Sequence, residues 1–394
     1  MDALLQACHN LYDRLPGDIP PNSWQKELQR DSELLQLSQQ ISELLNTCGP
    51  VYIPRNTPSP LTQSDPIHRA VCWNIERGKN FFGILKTLEE HPELKKADFY
   101  FLTEVDWGMA RSDNRNVTAE LAEALGLYGY FAPSYFNFTK GHGVERTYGG
   151  ANQLGLHGKS ILSRFPLSNL RPVAMPNATD KLTSEEARLG QKRALLGDVL
   201  LGDKTITLAC AHLDAFSSPK TRQIQLAQTA KACGAGEAAL LAGDWNTNTL
   251  DSTSTARLIP WLIYQLCVYR PVKMVRDHHP YPERRFDRPL FKMLEEHGFN
   301  YQNCNPMGVG TYDLVSNDQE LGQMAGDQFP QWALKYVNSL ITKAGGNIGL
   351  KLDWFASKNL NCVESQVVRL DDGKGPQLEQ RASDHHPVWV DFKI

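Results

Sequence analysis

Short apolar runs of strand length, helical stretches set between them, and polar residues gathered where the runs end predict a sheet protein of the α/β or α+β class rather than a helical bundle. The runs are Ala70–Ile75, Asp98–Val105, Ser160–Ser163, Ala194–Leu201, Thr205–Leu213, Ala238–Ala242, Asp353–Ser357, Val363–Arg369 and Val388–Phe392. Between them, Phe82–Glu90, Thr118–Leu125 and Arg222–Cys233 read as helices. No internal repeat or low-complexity tract interrupts the series.

A chain of 394 residues holds one large domain with an extension, or two domains. Its 41% hydrophobic and 22% charged residues are those of a soluble globular protein. The net charge of −3 lacks the basic excess of a dedicated nucleic-acid binder. Cysteines at 8, 48, 72, 210, 233, 267, 304 and 362 stand singly, with no CxxC pair. That is neither a zinc ribbon nor a small disulfide scaffold, and a reducing, cytoplasmic setting fits it. Asp2, His9 and Asp13 rule against a secretory signal. No apolar run approaches the roughly 20 residues that span a bilayer.

Residues 1–65 differ from the rest. Leu34, Leu37, Ile41, Leu44 and Leu45 predict an amphipathic helix over Asp31–Asn46, and an earlier helix is expected around Ala3–Arg14. Pro54, Pro58, Pro60 and Pro66 then mark a linker or surface strap. Two helices packed outside a main domain of residues 66–394 are expected. The alternative is a membrane-surface or partner helix, against which stands a polar face of Gln, Ser and Glu. Within 251–350, helices are expected near Ala256–Tyr269, Arg288–His297 and Gln331–Lys343. Such an insertion before the last strands would sit at the mouth of a site and shape substrate choice.

The most informative stretch is Ala238–Asn248. Its buried run stops at Gly243, and Asp244 and Asn246 follow two positions apart, on one side of an extended segment. An ordinary Gly-Asp-Asn turn is the competing reading. Other strand ends carry the same kind of residue: Asn74 and Glu76, Glu104 and Asp106, His212 and Asp214, Asp353, and Ser383-Asp384-His385-His386-Pro387. Together they predict a carboxylate-lined pocket built from strand termini. It would repel a phosphate unless a divalent cation were present, and oxygen ligands suit Mg²⁺ or Mn²⁺ rather than zinc.

In this order the pieces resemble the endonuclease/exonuclease/phosphatase superfamily of metal-dependent phosphoesterases. Its members include pancreatic-type deoxyribonucleases, exonuclease III-like repair enzymes, inositol polyphosphate 5-phosphatases and neutral sphingomyelinases. The matching motifs are Trp73-Asn74-Ile75-Glu76, Leu102-Thr103-Glu104-Val105, Gly158–Arg164, Ala211-His212-Leu213, Gly243-Asp244-Trp245-Asn246, Leu352-Asp353-Trp354-Phe355 and Ser383-Asp384-His385. Thr103 departs from the Gln common at that position, which is not a ligand. The loop Arg111–Arg115 and the stretch Arg188–Arg193 resemble bacterial members of unassigned substrate.

The resemblance implies a four-layer α/β/β/α sandwich of two packed mixed sheets, here with an N-terminal helical extension. It implies Glu104 as principal metal ligand, helped by Glu76 and Asn74, with Asp384 adding charge nearby. Asp244 would orient or deprotonate the attacking water beside Asn246. His212 would donate to a non-bridging phosphate oxygen, and His385 would be the second histidine, oriented by Asp353. Asn152, Arg188 and Arg193 are substrate-binding candidates.

Bland readings stand beside these. His212 could be a core histidine, Asp353 a surface charge, Glu76-Arg77 a solvated pair, and Arg188 and Arg193 plain surface. Tyr148, Asn152 and His157 fall in one glycine-rich stretch. The string Asp277-His278-His279-Pro280 duplicates Asp384–Pro387, but it runs into Tyr281-Pro282, which cannot be a central strand. No serine or cysteine nucleophile motif is visible, so direct attack by water is expected. The acidic balance favours a small phosphorylated metabolite or lipid headgroup over nucleic acid, with a nuclease as the alternative and a non-catalytic binding module as a minor one.

Overall fold

Strict alternation along the central strands divides their side chains between two faces, and this division builds the molecule in layers. The computed structural model describes residues 1–15, 23–55, 67–184, 186–234, 237–247, 277–315, 345–370 and 381–394, with isolated helical positions between 256 and 273 and between 335 and 343. Its large sheet contains β1 (Gly49–Tyr52), β2 (His68–Arg77), β3 (Phe99–Trp107), β4 (Tyr128–Asn137) and β5 (Leu156–Ser163). The second sheet contains β6 (Leu167–Ala174), β8 (Arg193–Leu201), β9 (Lys204–Cys210), β10 (Ala238–Asp244) and β13 (Asp353–Lys358). The short β7 (Arg188–Gly190) pairs with β4, while β14 (Asn361–Val367) and β15 (Val388–Lys393) complete the large sheet. The large sheet runs β1-β4-β5-β3-β2-β15-β14 and the second β13-β10-β9-β8-β6.

Ala70, Cys72, Phe99 and Phe101 point inward from the large sheet to meet Leu195, Leu208, Leu240 and Phe355 of the second. Their sequence neighbours face outward. Val71, Trp73, Tyr100 and Leu102 pack under α4 (Phe81–Glu90) and α5 (Val117–Leu125). Leu196, Ala209, Leu241 and Trp354 pack under α6 (Pro219–Ala232) and α7 (Arg288–Glu296). The result is the four-layer α/β/β/α sandwich of two mixed sheets. None of the described helices is long and apolar enough to cross a membrane.

The N-terminal segment forms three described helices, α1 (Asp2–Tyr12), α2 (Trp24–Arg30) and α3 (Ser32–Leu44), where two were expected. Seven-residue α2 is too short to show a helical period in sequence. Leu4, Leu11, Trp24, Leu28 and Ile41 join the same apolar cluster as the outer face of the large sheet. Trp24 stacks on Phe138 at 4.4 Å, and the Tyr12 hydroxyl donates to the Asn137 carbonyl. Asp31 caps α3, its carboxylate accepting from the amides of Glu33 (2.9 Å) and Leu34 (3.2 Å). Asp31→Ala is expected to cost about 1 kcal/mol of stability, read as a lower urea midpoint at unchanged slope.

Other expectations need correction. The apolar run Thr205–Leu213 predicts one strand, but β9 stops at Cys210, leaving His212 in the loop beyond. β4 had no sequence signal, because nearly all of its residues are buried and no polar face alternates. Cys304 and Cys362 do not stand singly: they form a disulfide, 58 residues apart, with a Cα–Cα distance of 5.3 Å. Only the folded chain brings them together. The helices expected near Ala256–Tyr269 and Gln331–Lys343, Asn248, and residues 56–66 of the proline-rich segment lie largely or wholly outside the described residues.

From 251–350, a hairpin of β11 (Tyr312–Val315) and β12 (Asn347–Leu350) reaches the strand ends. Asp313 accepts from His386 at 2.9 Å and from Arg369 at 2.6 Å, and the His386 amide donates to the Thr311 carbonyl at 2.7 Å. This anchors the hairpin beside the last strand.

Candidate active site at the strand ends

The carboxyl ends of β2, β3, β9 and β10 and the starts of β13 and β15 meet at one end of the sandwich. Two irregularities aim their side chains. Pairing of β2 with β3 slips between Asn74 and Arg77, and pairing of β3 with β5 slips between Thr103 and Val105. At these bulges Glu76 (φ 46°) and Glu104 (φ 51°) are left-handed, as is Asn246 (φ 48°) after β10. Such backbone costs on the order of 1–3 kcal/mol per residue and is held only where the surroundings demand it. Gly243 has its own reason: at φ 145°, an added Cβ would lie 1.8 Å from the Ala211 carbonyl oxygen. Only glycine lets β10 run this close to the loop that carries His212.

Asp244 is the centre of the cluster. It is 1% exposed. One carboxylate oxygen, Oδ1, accepts from the Asn246 amide at 2.9 Å. The other accepts from Asn74 Nδ2 at 3.0 Å and lies 3.6 Å from His212 Nε2 and 3.9 Å from His385 Nε2. Burial and the neighbouring Asp353 raise the Asp244 carboxyl above its ordinary range. A carboxylate held so is a proton acceptor matched to neutral pH.

The two histidines are differently poised. His385 is bonded through Nδ1 to Asp353 Oδ2 at 2.7 Å, and Thr311 Oγ1 accepts from the Asp353 amide at 3.0 Å. Burial alone would neutralise His385, but Asp353 and Asp384 overcome it and hold the ring charged. Burial and then the charge of Lys192 keep His212 neutral, so its one N–H can donate.

Beside this cluster lie the oxygen donors. The Glu76 amide donates to Asn74 Oδ1 at 3.1 Å, and Glu76 Oε2 accepts from the Asp384 amide at 3.1 Å. Lys79 pairs with Glu76. Burial would raise the Glu104 carboxyl, but Arg77, His212, His157 and His385 hold it well below its ordinary range. Its ion-pair contact among the described residues is Arg77 Nε at 3.6 Å. An ionised, loosely paired carboxylate next to Glu76, Asp384 and the Asn74 amide fits a hard divalent cation. Asp244, Asp353 and His385 also place ligand atoms within 4.8 Å of one another. That trio suits proton chemistry better, since the charged His385 ring already spends Nδ1 on Asp353.

The structure therefore brings together Asn74, Glu76, Glu104, His212, Asp244, Asn246, Asp353, Asp384 and His385. The remaining candidates are engaged in other contacts. Asn152 accepts from the Ala110 amide at 2.9 Å and donates to the Thr139 carbonyl at 3.0 Å and the Tyr12 hydroxyl at 3.2 Å. Arg193 is buried and donates to the carbonyls of Ser134 and Gln191, each at 3.2 Å. Arg188 lies over the Tyr135 ring and 3.5 Å from Glu186. His278 of the duplicate string packs edge-on against Phe286, and Trp245 is buried and stacked against Trp354.

Sequence reasoning missed a buried ionic network under the site. Arg111 binds Asp106 (2.6 Å), Glu186 (2.7 Å) and Glu145 (3.1 Å), and Glu145 also binds Arg77 at 2.8 Å. His157 bonds Asp106 at 2.7 Å. The Arg111–Arg115 motif was a signal, but its partners are up to 75 residues away and follow no spacing rule.

Residues 71–385 match the family described as Endonuclease/Exonuclease/phosphatase family. Among solved structures, the chain is similar to an endonuclease/exonuclease/phosphatase from Beutenbergia cavernae, at 16% identity over 84% of this chain and 72% of that one, TM-score 0.49. It is similar to a family protein from Leptotrichia buccalis at 13% identity, 82% and 98% coverage, TM-score 0.46. The human Nocturnin catalytic domain with bound sulfate is similar at 15% identity, 88% and 96% coverage, TM-score 0.43. No curated protein sequence matches.

Proposed function

Because the chain belongs to the endonuclease/exonuclease/phosphatase family, in general metal-dependent hydrolases of phosphoester bonds, we propose that it hydrolyses a phosphoester by direct attack of water. The convergence of Asn74, His212 and His385 on one buried carboxylate, Asp244, carries this reading. Asp244 takes the proton of the attacking water, and Asn246 holds the phosphoryl group beside it. His212 donates its N–H to a non-bridging oxygen. His385, kept charged and oriented by Asp353, donates to the same developing charge. Glu104, Glu76, Asn74 and Asp384 would hold Mg²⁺ or Mn²⁺, which polarises the phosphoryl oxygens when bound.

The preferred substrate is a small phosphorylated metabolite or a lipid headgroup. The net charge of −3 supports this over a nucleic acid. In this reading residues 1–65 extend a phosphoesterase domain of residues 66–394, with 251–350 on the substrate side. Free thiols at Cys8, Cys48, Cys72, Cys210 and Cys233 favour a cytoplasmic setting, against which the Cys304–Cys362 disulfide stands.

Hydrolysis of bis-p-nitrophenyl phosphate is expected to require a divalent cation and to stop on adding chelator. Full activity after exhaustive chelation would sink the assignment. Plasmid or single-stranded DNA degradation that falls steeply with salt would replace the metabolite reading with a nuclease.

A further inference from the structure

The bulges at the ends of β2 and β3 set Arg77 beside Glu104. Arg77 pairs with Val105 across the two strands, next in sequence to Glu104. Its side chain is buried, with Nε 3.6 Å from Glu104 Oε2 and Nη1 donating to Glu145 Oε1 at 2.8 Å. Glu145 is itself fixed. Its other oxygen accepts from Arg111 Nη1 and from the His142 amide, each at 3.1 Å. The Arg77 guanidinium is therefore held in place by groups other than Glu104.

Lys79 repeats this arrangement at Glu76. Its ammonium pairs with Glu76 Oε1 and lies 3.8 Å from Glu145 Oε1, the same oxygen that binds Arg77. One buried carboxylate outside the candidate ligand set thus stations two cations, each against one oxygen of a candidate ligand. Among the described residues, Glu104 makes no other ion pair or hydrogen bond, which leaves its Oε1 to ligate.

How many oxygens a carboxylate can offer separates the hard divalent cations. Ca²⁺ takes roughly six to eight oxygens at about 2.3–2.6 Å and often grips a carboxylate through both of its own. Mg²⁺ is smaller, keeps several waters, and needs only one oxygen from each carboxylate. We propose that Arg77 determines metal choice: it withholds Glu104 Oε2, confines that carboxylate to a single metal bond, and makes the site favour Mg²⁺ over Ca²⁺. The inference rests on the phosphoester reading above, which supplies Glu104 as a ligand. At 3.6 Å the contact is an ion pair without a hydrogen bond, so it acts by charge and bulk. A cation gripping both oxygens would come against the guanidinium, which repels it. Arginine suits the task because it stays charged and its fork can face two carboxylates at once.

The test uses the full chain and the metals alone. Mn²⁺ is bound first, Mg²⁺ or Ca²⁺ then competes, and the electron paramagnetic resonance of released Mn²⁺ reports displacement. In the wild type, Mg²⁺ is expected to displace Mn²⁺ at a lower concentration than Ca²⁺ does. Arg77→Gln is expected to shift the ratio of the two about tenfold or more toward Ca²⁺, and Arg77→Lys to retain part of the wild-type preference. Lost packing alone would weaken both cations together, so an unchanged ratio overturns the proposal. Should the Gln variant fail to fold, the wild type decides: Ca²⁺ displacing Mn²⁺ as readily as Mg²⁺ overturns it. Mn²⁺ binding with metal-dependent hydrolysis of bis-p-nitrophenyl phosphate, but a ratio that ignores Arg77, rejects this inference and retains the phosphoester reading. Neither binding nor hydrolysis overturns both.

Discussion

Asp244→Asn is expected to lower kcat for bis-p-nitrophenyl phosphate by about 10²-fold or more. The substitution keeps the volume of the side chain, and its oxygen can still accept from the Asn246 amide. It removes the only part of the residue that takes a proton, and it sets an amide donor against Asn74 Nδ2, which now donates to a carboxylate. The charge that His212 and His385 face at 3.6 and 3.9 Å is lost as well. Steady-state rates with saturating Mg²⁺, beside a thermal unfolding curve, check this. Near wild-type turnover with the fold intact would place the base elsewhere.

His212→Ala is expected to cost about 10²–10³-fold, mostly in kcat. The ring is buried in the loop after β9, where Gly243 leaves room for that loop, and burial keeps it neutral. A neutral imidazole offers a donor without repelling the cation expected near Glu104. Its bond strengthens as charge builds on the phosphoryl oxygens, so its loss falls on the transition state more than on binding. The measurement is kcat and KM separately. A change confined to KM would make His212 a ground-state contact and return the donor role to His385 alone.

The cluster around Asp244 was legible because each strand end states its chemistry locally. Ala238–Ala242 is a core strand, Gly243 permits the close approach to Ala211, and Asp244 and Asn246 follow in fixed register. Asp353 and His385, separated by 32 residues, were paired only through the resemblance, and the fold sets them 2.7 Å apart. Residue type alone singles out Asn152 and Arg193, and the folded chain shows them bonded to its own backbone.

By itself, the sequence determined the sheet class, the strands β2, β3, β5, β8–β10 and β13–β15 in approximate bounds, and which strand ends carry carboxylates, amides and histidines. These are consequences of period-two burial and of residue chemistry, and both act locally. Tertiary structure alone decided the left-handed turns at Glu76, Glu104 and Asn246, the Arg111 network, the Cys304–Cys362 bond and the packing of α1–α3 on the large sheet. Each depends on groups distant in sequence that only a completed core holds in contact, and no local pattern encodes such an encounter.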